Sequence, residues 1–155
     1  MSDLEEILGI SFTKGTKILY ATNSSKKVKK NSIFFGLPGA TQHGSKYSKD
    51  ALNKGASIVV HNDSNGEIND NNIFYIKDLE EKIFNFLNSL YEINISDNNF
   101  FAFTGTNGKS SSSYLCHQLL INFGYQSLYI GTLGTQFNQE KFDKTFSSKT
   151  TPDIF

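Results

Sequence analysis

Residues 100–111 (Phe-Phe-Ala-Phe-Thr-Gly-Thr-Asn-Gly-Lys-Ser-Ser) constrain this chain more tightly than any other stretch. Residues 100–103 are apolar and aromatic, a composition that suits a strand in a sheet core. A helical pattern begins at Lys109, so the chain has only a few residues in which to turn. Gly105 and Gly108 permit that turn and let backbone N–H groups come close to an anion. Lys109 adds a positive charge, Ser110 offers an oxygen to a Mg²⁺ ion, and the new helix points its positive end at the same place. The stretch reads as a phosphate cradle. Its glycines are separated by two residues where the strict phosphate-loop pattern has four, and Phe103 stands where that pattern places its first glycine.

The remaining composition narrows the classes open to it. Acidic and basic residues balance at 15 each, so no net field recruits nucleic acid or an anionic membrane. Every basic residue apart from histidine is lysine, which leaves anion binding to ammonium groups and backbone amides rather than guanidinium forks. Cys116 is the single cysteine and has no internal disulfide partner, in keeping with a reducing cytosol. No apolar run approaches the ~20 residues that span a bilayer. The acidic start of the chain lacks the basic and apolar regions of a signal peptide. A cytoplasmic protein with no membrane insertion is expected.

Taken in order, residues 3–9 suggest a short helix with Leu4, Ile7 and Leu8 on one side, ended by Gly9. Residues 17–21 read as a strand. The polar stretch that follows carries Lys26, Lys27, Lys29 and Lys30, and reads as a solvated surface or an anion-binding loop. Residues 32–37 form a second strand, stopped by Pro38-Gly39. Tyr47, Ala51 and Leu52 mark a helix ending near Gly55, and residues 57–61 and 73–76 are further strands. Asp78 and Glu81 have the spacing of a capping box. Behind them Leu79, Ile83, Phe86, Leu87 and Leu90 recur at helical intervals. After the phosphate loop, Leu115, Leu119, Leu120 and Phe123 make another helical stripe, with Gly124 as its cap. Residues 127–133 follow as a strand, which predicts a strand–helix–strand unit with a parallel pair. His43 and His61 have no metal-ligand spacing around them and are expected at the surface or at strand ends, His117 facing solvent, and Cys116 as a small buried or half-buried packing residue.

The fold expected is α/β. A small N-terminal mixed α/β substrate-binding domain (residues 1–97) precedes the first strand–P-loop–helix–strand unit of a parallel-sheet ATPase domain (residues 98–155). Because two strands and one helix cannot cover both faces of a parallel sheet, the second domain is expected to be incomplete.

Together these motifs resemble the Mur ligase family, most of all the amino-terminal part of its MurE type, whose members add the third residue of the peptidoglycan stem peptide. That family's ATP loop reads Thr-Gly-Thr-Asn-Gly-Lys-Thr/Ser, reproduced by residues 104–110. Its Gly-Thr-Leu-Gly segment is matched at 131–134 and its Thr-Thr-Pro at 150–152. Upstream, residues 24–28 (Ser-Ser-Lys-Lys-Val) match a family segment in which Arg stands at the position of Lys26. Lys30-Asn31 replaces Pro-Gly, and His43-Gly44 replaces Asp-Gly.

The resemblance implies an ATP-dependent amide ligase that adds a diamino acid (meso-diaminopimelate or L-lysine) to UDP-N-acetylmuramoyl-L-Ala-D-Glu through an acyl phosphate. It implies ATP held by Gly105, Thr106, Asn107, Gly108, Lys109, Ser110 and Ser111, with Lys109 catalytic and Ser110 on Mg²⁺. Asn23, Ser25, Ala40, Thr41, Gln42, Lys149, Thr150 and Thr151 would bind the UDP-sugar-peptide. A monomer is expected, with no nucleic-acid partner and no complete turnover by these 155 residues alone. Three other readings stay open. They are a non-catalytic nucleotide- or UDP-sugar-binding module, a MurF-type or folylpolyglutamate-synthase-like ligase, and a small P-loop kinase. The α/β segment of about a hundred residues ahead of the loop disfavours the kinase.

Overall fold

The computed structural model describes residues 2–93, 95–143 and 155. Packing divides the chain into two units, Met1–Ile95 with Phe155, and Ser96–Ile154. The first is organised by strand β2 (Ser32–Gly36), which is buried along its whole length. It lies between β1 (Tyr20–Thr22) and β3 (Ala56–His61), and β4 (Ile73–Tyr75) completes a four-stranded, fully parallel sheet in the order β1-β2-β3-β4. The register shifts once, beside Ser32 and Ile33.

Parallel strands are stable when both faces are covered, and side chains alternate between those faces along each strand. Ile33, Phe35, Ile58 and Val60 point to one side. There they meet Leu4 and Leu8 of helix α1 (Ser2–Leu8) and Leu79, Ile83, Phe86 and Leu87 of α3 (Leu79–Tyr91). Phe34, Val59 and Ile73 point to the other side and pack on Ala51 of α2 (Ser48–Asn53). The rings of Phe35 and Phe86 meet edge-on at 5.4 Å, and Phe155 adds a third ring 5.0 Å from Phe35. Three helices thus cover a sheet that is apolar on both faces. The α3 stripe falls where its spacing placed it, with Leu90 packed at its margin. Asp78 precedes α3 without a side-chain capping bond, so the expected capping box does not form there.

The second unit holds α4 (Lys109–Asn122) and an antiparallel hairpin of β5 (Leu128–Gly131) and β6 (Gly134–Phe137). Two expectations are corrected here. Residues 100–103 lie outside any strand, and Phe100, Phe101 and Phe103 are exposed. β5, expected to pair in parallel with that run, pairs with β6 instead. Closing a hairpin across the short Thr132-Leu133 turn costs less loop entropy than pairing across the whole of α4, and it satisfies the backbone of both strands. Apolarity alone cannot make a strand of residues 100–103 when no neighbour among the described residues offers hydrogen bonds.

The face of α4 that is covered also differs from the expected one. His117 is buried beside Tyr114 and Tyr129, on which Phe142 packs in turn, and its Nδ1 is 2.8 Å from the Ser127 hydroxyl. Leu115, Leu119 and Phe123 remain exposed and Cys116 is half-buried. The aromatic and polar side of α4 meets the hairpin because Tyr129 alternates onto that face of β5, whereas Leu128 and Ile130 point away and are exposed. Among the described residues no helix is long and apolar enough to cross a membrane.

His61, expected at the surface or a strand end, sits at the end of β3 but is fully buried, without a well-formed hydrogen bond to either ring nitrogen. The backbone at Gly66 closes over the ring so tightly that a Cβ there would lie 2.6 Å from Cε1. Burial holds the imidazole below its ordinary pKa of 6.5. The Asp63 carboxylate and the backbone at Glu67 and Asp63 oppose that shift, His43 adds to it, and burial prevails. The folded chain therefore resists a proton that the unfolded chain accepts. The resulting stability is present above pH 6.5 and is lost as pH falls from there through the lowered pKa of the folded chain. Urea unfolding at stepped pH should show this loss in the wild type and a flatter profile in His61→Leu; identical profiles would contradict it.

Candidate functional site

The loop ahead of α4 has the backbone its glycines were expected to provide. Gly105 has φ +145° and Gly108 has φ +77°, ψ −4°. A Cβ at either glycine would meet nothing closer than 3.8 Å, so conformation rather than space demands glycine here. Gly108 is the residue before the helix, and the first helical bond runs from the Ser112 amide to the Gly108 carbonyl at 2.8 Å. The amides of Lys109, Ser110 and Ser111 precede that bond, so the helix gives them no acceptor. No acidic residue occupies the first turn. The end of α4 is thus a cluster of donors with a positive dipole.

Side chains strengthen this arrangement. Lys109 folds back over the loop, its Nζ donating to the Gly105 carbonyl at 2.5 Å and the Thr106 carbonyl at 3.3 Å. The Ser110 hydroxyl lies 2.8 Å from the Thr132 hydroxyl in the β5–β6 turn. Ser113 turns inward and donates to the carbonyls of Lys109 and Ser110. Residues 104–108 and Ser111 are exposed, with Lys109 and Ser110 half-exposed. The structure therefore brings the whole expected set, 105–111, to one solvent-facing turn that can take an anion.

In the first unit, β1 and β2 are parallel neighbours, so the segments that leave their carboxyl ends emerge on one edge of the sheet. Asn23 and Ser25 follow β1. The turn there is set by Thr22, whose hydroxyl accepts from the Ser24 amide at 3.1 Å. Lys54, paired with Asp50 at 2.7 Å, donates to the Ser25 carbonyl at 3.1 Å and ties this segment to α2. Ala40, Thr41 and Gln42 follow β2 at the exposed tip of a loop. A Pro38–His43 bridge and the Gly39 amide on the Gln42 carbonyl close that loop, and Gln42 Nε2 donates to the Tyr47 hydroxyl. Lys149, Thr150 and Thr151 lie outside the described residues.

The same edge carries a network that no spacing in the sequence announced. His43 Nδ1 accepts from the Ser45 amide at 3.1 Å, which leaves Nε2 to donate to Asn62 Oδ1 at 3.0 Å. Ser45 donates its hydroxyl to Asp63 at 2.6 Å, and that bond is the main reason the Asp63 carboxyl sits below its ordinary pKa. Asn62 and Asp63 follow β3, so the ends of two neighbouring strands, β2 and β3, are knitted together by short polar side chains. Among the described residues no group of three or more His, Cys, Asp or Glu side chains is placed to hold a metal ion.

The sheet and its edge match a known family, and likeness to individual proteins extends over most of the chain. Residues 20–87, from β1 into α3, match the model of the Mur ligase family, catalytic domain. A protein of Rickettsia bellii named UDP-N-acetylmuramoyl-L-alanyl-D-glutamate--2,6-diaminopimelate ligase is 31% identical over 133 residues, which cover 85% of this chain and 26% of that one. The chain belongs to the Mur ligase family. A relative of the same name from Rickettsia montanensis is 36% identical over 116 residues, covering 73% of this chain and 23% of its own length. The chain thus spans about a quarter of the length of these curated Mur ligases. A solved structure that carries this name superposes with a TM-score of 0.63 at 19% identity, over 90% of this chain and 29% of that one, a likeness of fold.

One close approach holds the Mur ligase edge in shape. A Cβ on Gly44 would lie 2.9 Å from the Gly36 Cα and from the Leu37 backbone, and a Cβ on Gly36 would lie 2.9 Å from the Ser45 amide. Both obstacles are backbone and cannot swing aside. Gly44→Ala should therefore destabilise the chain by about 1–3 kcal/mol in chemical denaturation. An unchanged midpoint would show that the two backbones are not in contact.

Proposed function

We propose that this chain supplies the nucleotide-binding and UDP-sugar-binding parts of an ATP-dependent ligase, which adds a diamino acid (meso-diaminopimelate or L-lysine) to UDP-N-acetylmuramoyl-L-Ala-D-Glu. The observation that carries this reading is the 104–110 loop, with Lys109 folded onto two of its carbonyls and the first amides of α4 left without helical acceptors beside it. In this reading residues 1–97 bind the UDP-sugar-peptide and residues 98–155 begin the ATP-binding domain. The names of the Rickettsia relatives support the substrate assignment, and the parallel sheet of the first unit supports the fold on which it rests.

The chemistry asked of these residues is mainly positioning and charge neutralisation. A carboxylate oxygen of the peptide attacks the γ-phosphorus of ATP, the bond to the bridging oxygen breaks, and ADP leaves. The amine of the diamino acid then attacks the acyl phosphate, losing a proton as phosphate departs and the amide forms. Lys109 swings from its two carbonyl partners to the phosphates, exchanging neutral acceptors for charged ones. The 105–111 backbone holds the remaining phosphate oxygens. Ser110 offers a hard, neutral oxygen of the kind Mg²⁺ takes when phosphates and water fill most of its shell, and such an ion would neutralise charge between the phosphates. Asn23, Ser25 and residues 40–42 lie on one sheet edge, where a uridine diphosphate group would reach hydroxyl and amide donors. Lys149, Thr150 and Thr151 are assigned to the same substrate.

Calorimetric titration separates the two halves of this reading. ATP should bind the wild type and be weakened at least tenfold by Lys109→Ala, an effect on the scale of a lost charge-assisted bond, roughly 1.5–3 kcal/mol. UDP-N-acetylmuramoyl-dipeptide should be weakened by Ser25→Ala and be indifferent to Lys109→Ala. UDP-sugar binding that is absent, or unaffected at Ser25, would overturn the substrate assignment; ATP binding unaffected at Lys109 would overturn the nucleotide site.

A further inference from the structure

The Ser110 hydroxyl has a partner from outside the phosphate loop. Thr132 sits in the two-residue turn between Gly131 and Gly134, 22 positions away, and its Oγ1 is 2.8 Å from Ser110 Oγ. That placement is built rather than casual. Tyr129 lies on the α4 side of β5, packed edge-on against Tyr114 at 5.7 Å and beside His117 at 6.0 Å. Its phenol reaches along the strand over Gly131, so closely that a Cβ on Gly131 would lie 2.4 Å from the Tyr129 oxygen. Only glycine there lets the tyrosine lie flat over the turn. Gly134, at φ +120°, lets the chain reverse straight afterwards. The ring stack therefore fixes the turn against α4, and the turn presents Thr132 to the first helical residues.

A serine that gives its oxygen to a cation must send its proton elsewhere, and coordination makes that proton a stronger donor. Ser113 Oγ turns to the carbonyls of Lys109 and Ser110 and, among the described residues, makes no hydrogen bond with Ser110 Oγ. The acceptor within reach of Ser110 Oγ is Thr132 Oγ1. We propose that Thr132 is a positioning residue for the cation–nucleotide site, accepting the Ser110 proton and so aiming the serine lone pairs at Mg²⁺. This rests on the nucleotide-binding reading of the loop. It adds that the affinity contributed by Mg²⁺ runs through a residue in the β5–β6 turn.

The test uses the full chain and a non-hydrolysable ATP analogue, titrated in Mg²⁺ and again in EDTA. Thr132→Val keeps the shape and removes the acceptor. It should weaken binding roughly three- to tenfold in Mg²⁺, the scale of one hydrogen bond, and leave binding in EDTA at the wild-type value. Thr132→Ser should restore the Mg²⁺ dependence, and Ser110→Ala should abolish any further effect of Thr132→Val. Equal weakening in both buffers, as a merely structural threonine would give, overturns the proposal. So does wild-type binding by Thr132→Val in Mg²⁺, or a serine variant as weak as the valine one. Failure of the underlying reading looks different: the analogue then binds neither wild type nor Lys109→Ala, or binds both alike, and the role of Thr132 falls with it.

Discussion

A parallel strand buried on both faces cannot turn back on itself, and that constraint governs the first unit. Each crossover returns the chain to the amino end of the next strand, so the segments following β1, β2 and β3 all leave by the same edge. β2 enforces the arrangement, with Ile33 and Phe35 committed to one helical layer and Phe34 to the other. Shifting its register by one residue would exchange those layers. The polar network of His43, Ser45, Asn62 and Asp63 and the candidate residues at 23–25 and 40–42 occupy that edge as a consequence of the packing beneath them.

The second unit works by a different device. α4 and the hairpin pack a small aromatic group, in which Tyr114 and Tyr129 flank the buried His117 and Phe142 lies against the two tyrosines, and much apolar surface stays outside it. What the group achieves is local. It sets the start of α4 and the β5–β6 turn in register, so that Ser110 and Thr132 meet. The 104–111 loop takes its shape from two glycine conformations, and its serine meets a hydroxyl from far along the chain.

Features whose causes are local were legible from the residues alone. Leu79, Ile83, Phe86 and Leu87 spell a helical face wherever they are read, and all are buried. Gly105 and Gly108 announced backbone shapes that they do adopt. Features that depend on what lies opposite were not legible. Residues 100–103 have a strand's composition and, among the described residues, no strand neighbour. Leu115 and Leu119 have a helix's apolar spacing, yet the side of α4 that is covered is the one facing Tyr129. His61 ends a strand, where imidazoles usually meet water, and the close approach of Gly66 together with the Tyr75 ring helps to bury it. Thr132 looked like an ordinary residue of a Gly-Thr-Leu-Gly turn until the turn was placed beside Ser110.

The central claim is that two separate ligand sites lie along this chain, a phosphate-binding turn at 104–111 and a sugar-nucleotide edge at 23–25 and 40–42. Backbone amide NMR of the labelled chain tests it directly, with ADP and uridine diphosphate added in turn. The account expects ADP to move the amides of Gly105 to Ser111 most, and uridine diphosphate to move those of Asn23, Ser25, Thr41 and Gln42, with little overlap between the two sets. Both nucleotides perturbing one common set of amides, or ADP leaving the amides of Gly108, Lys109 and Ser110 unmoved, would contradict it.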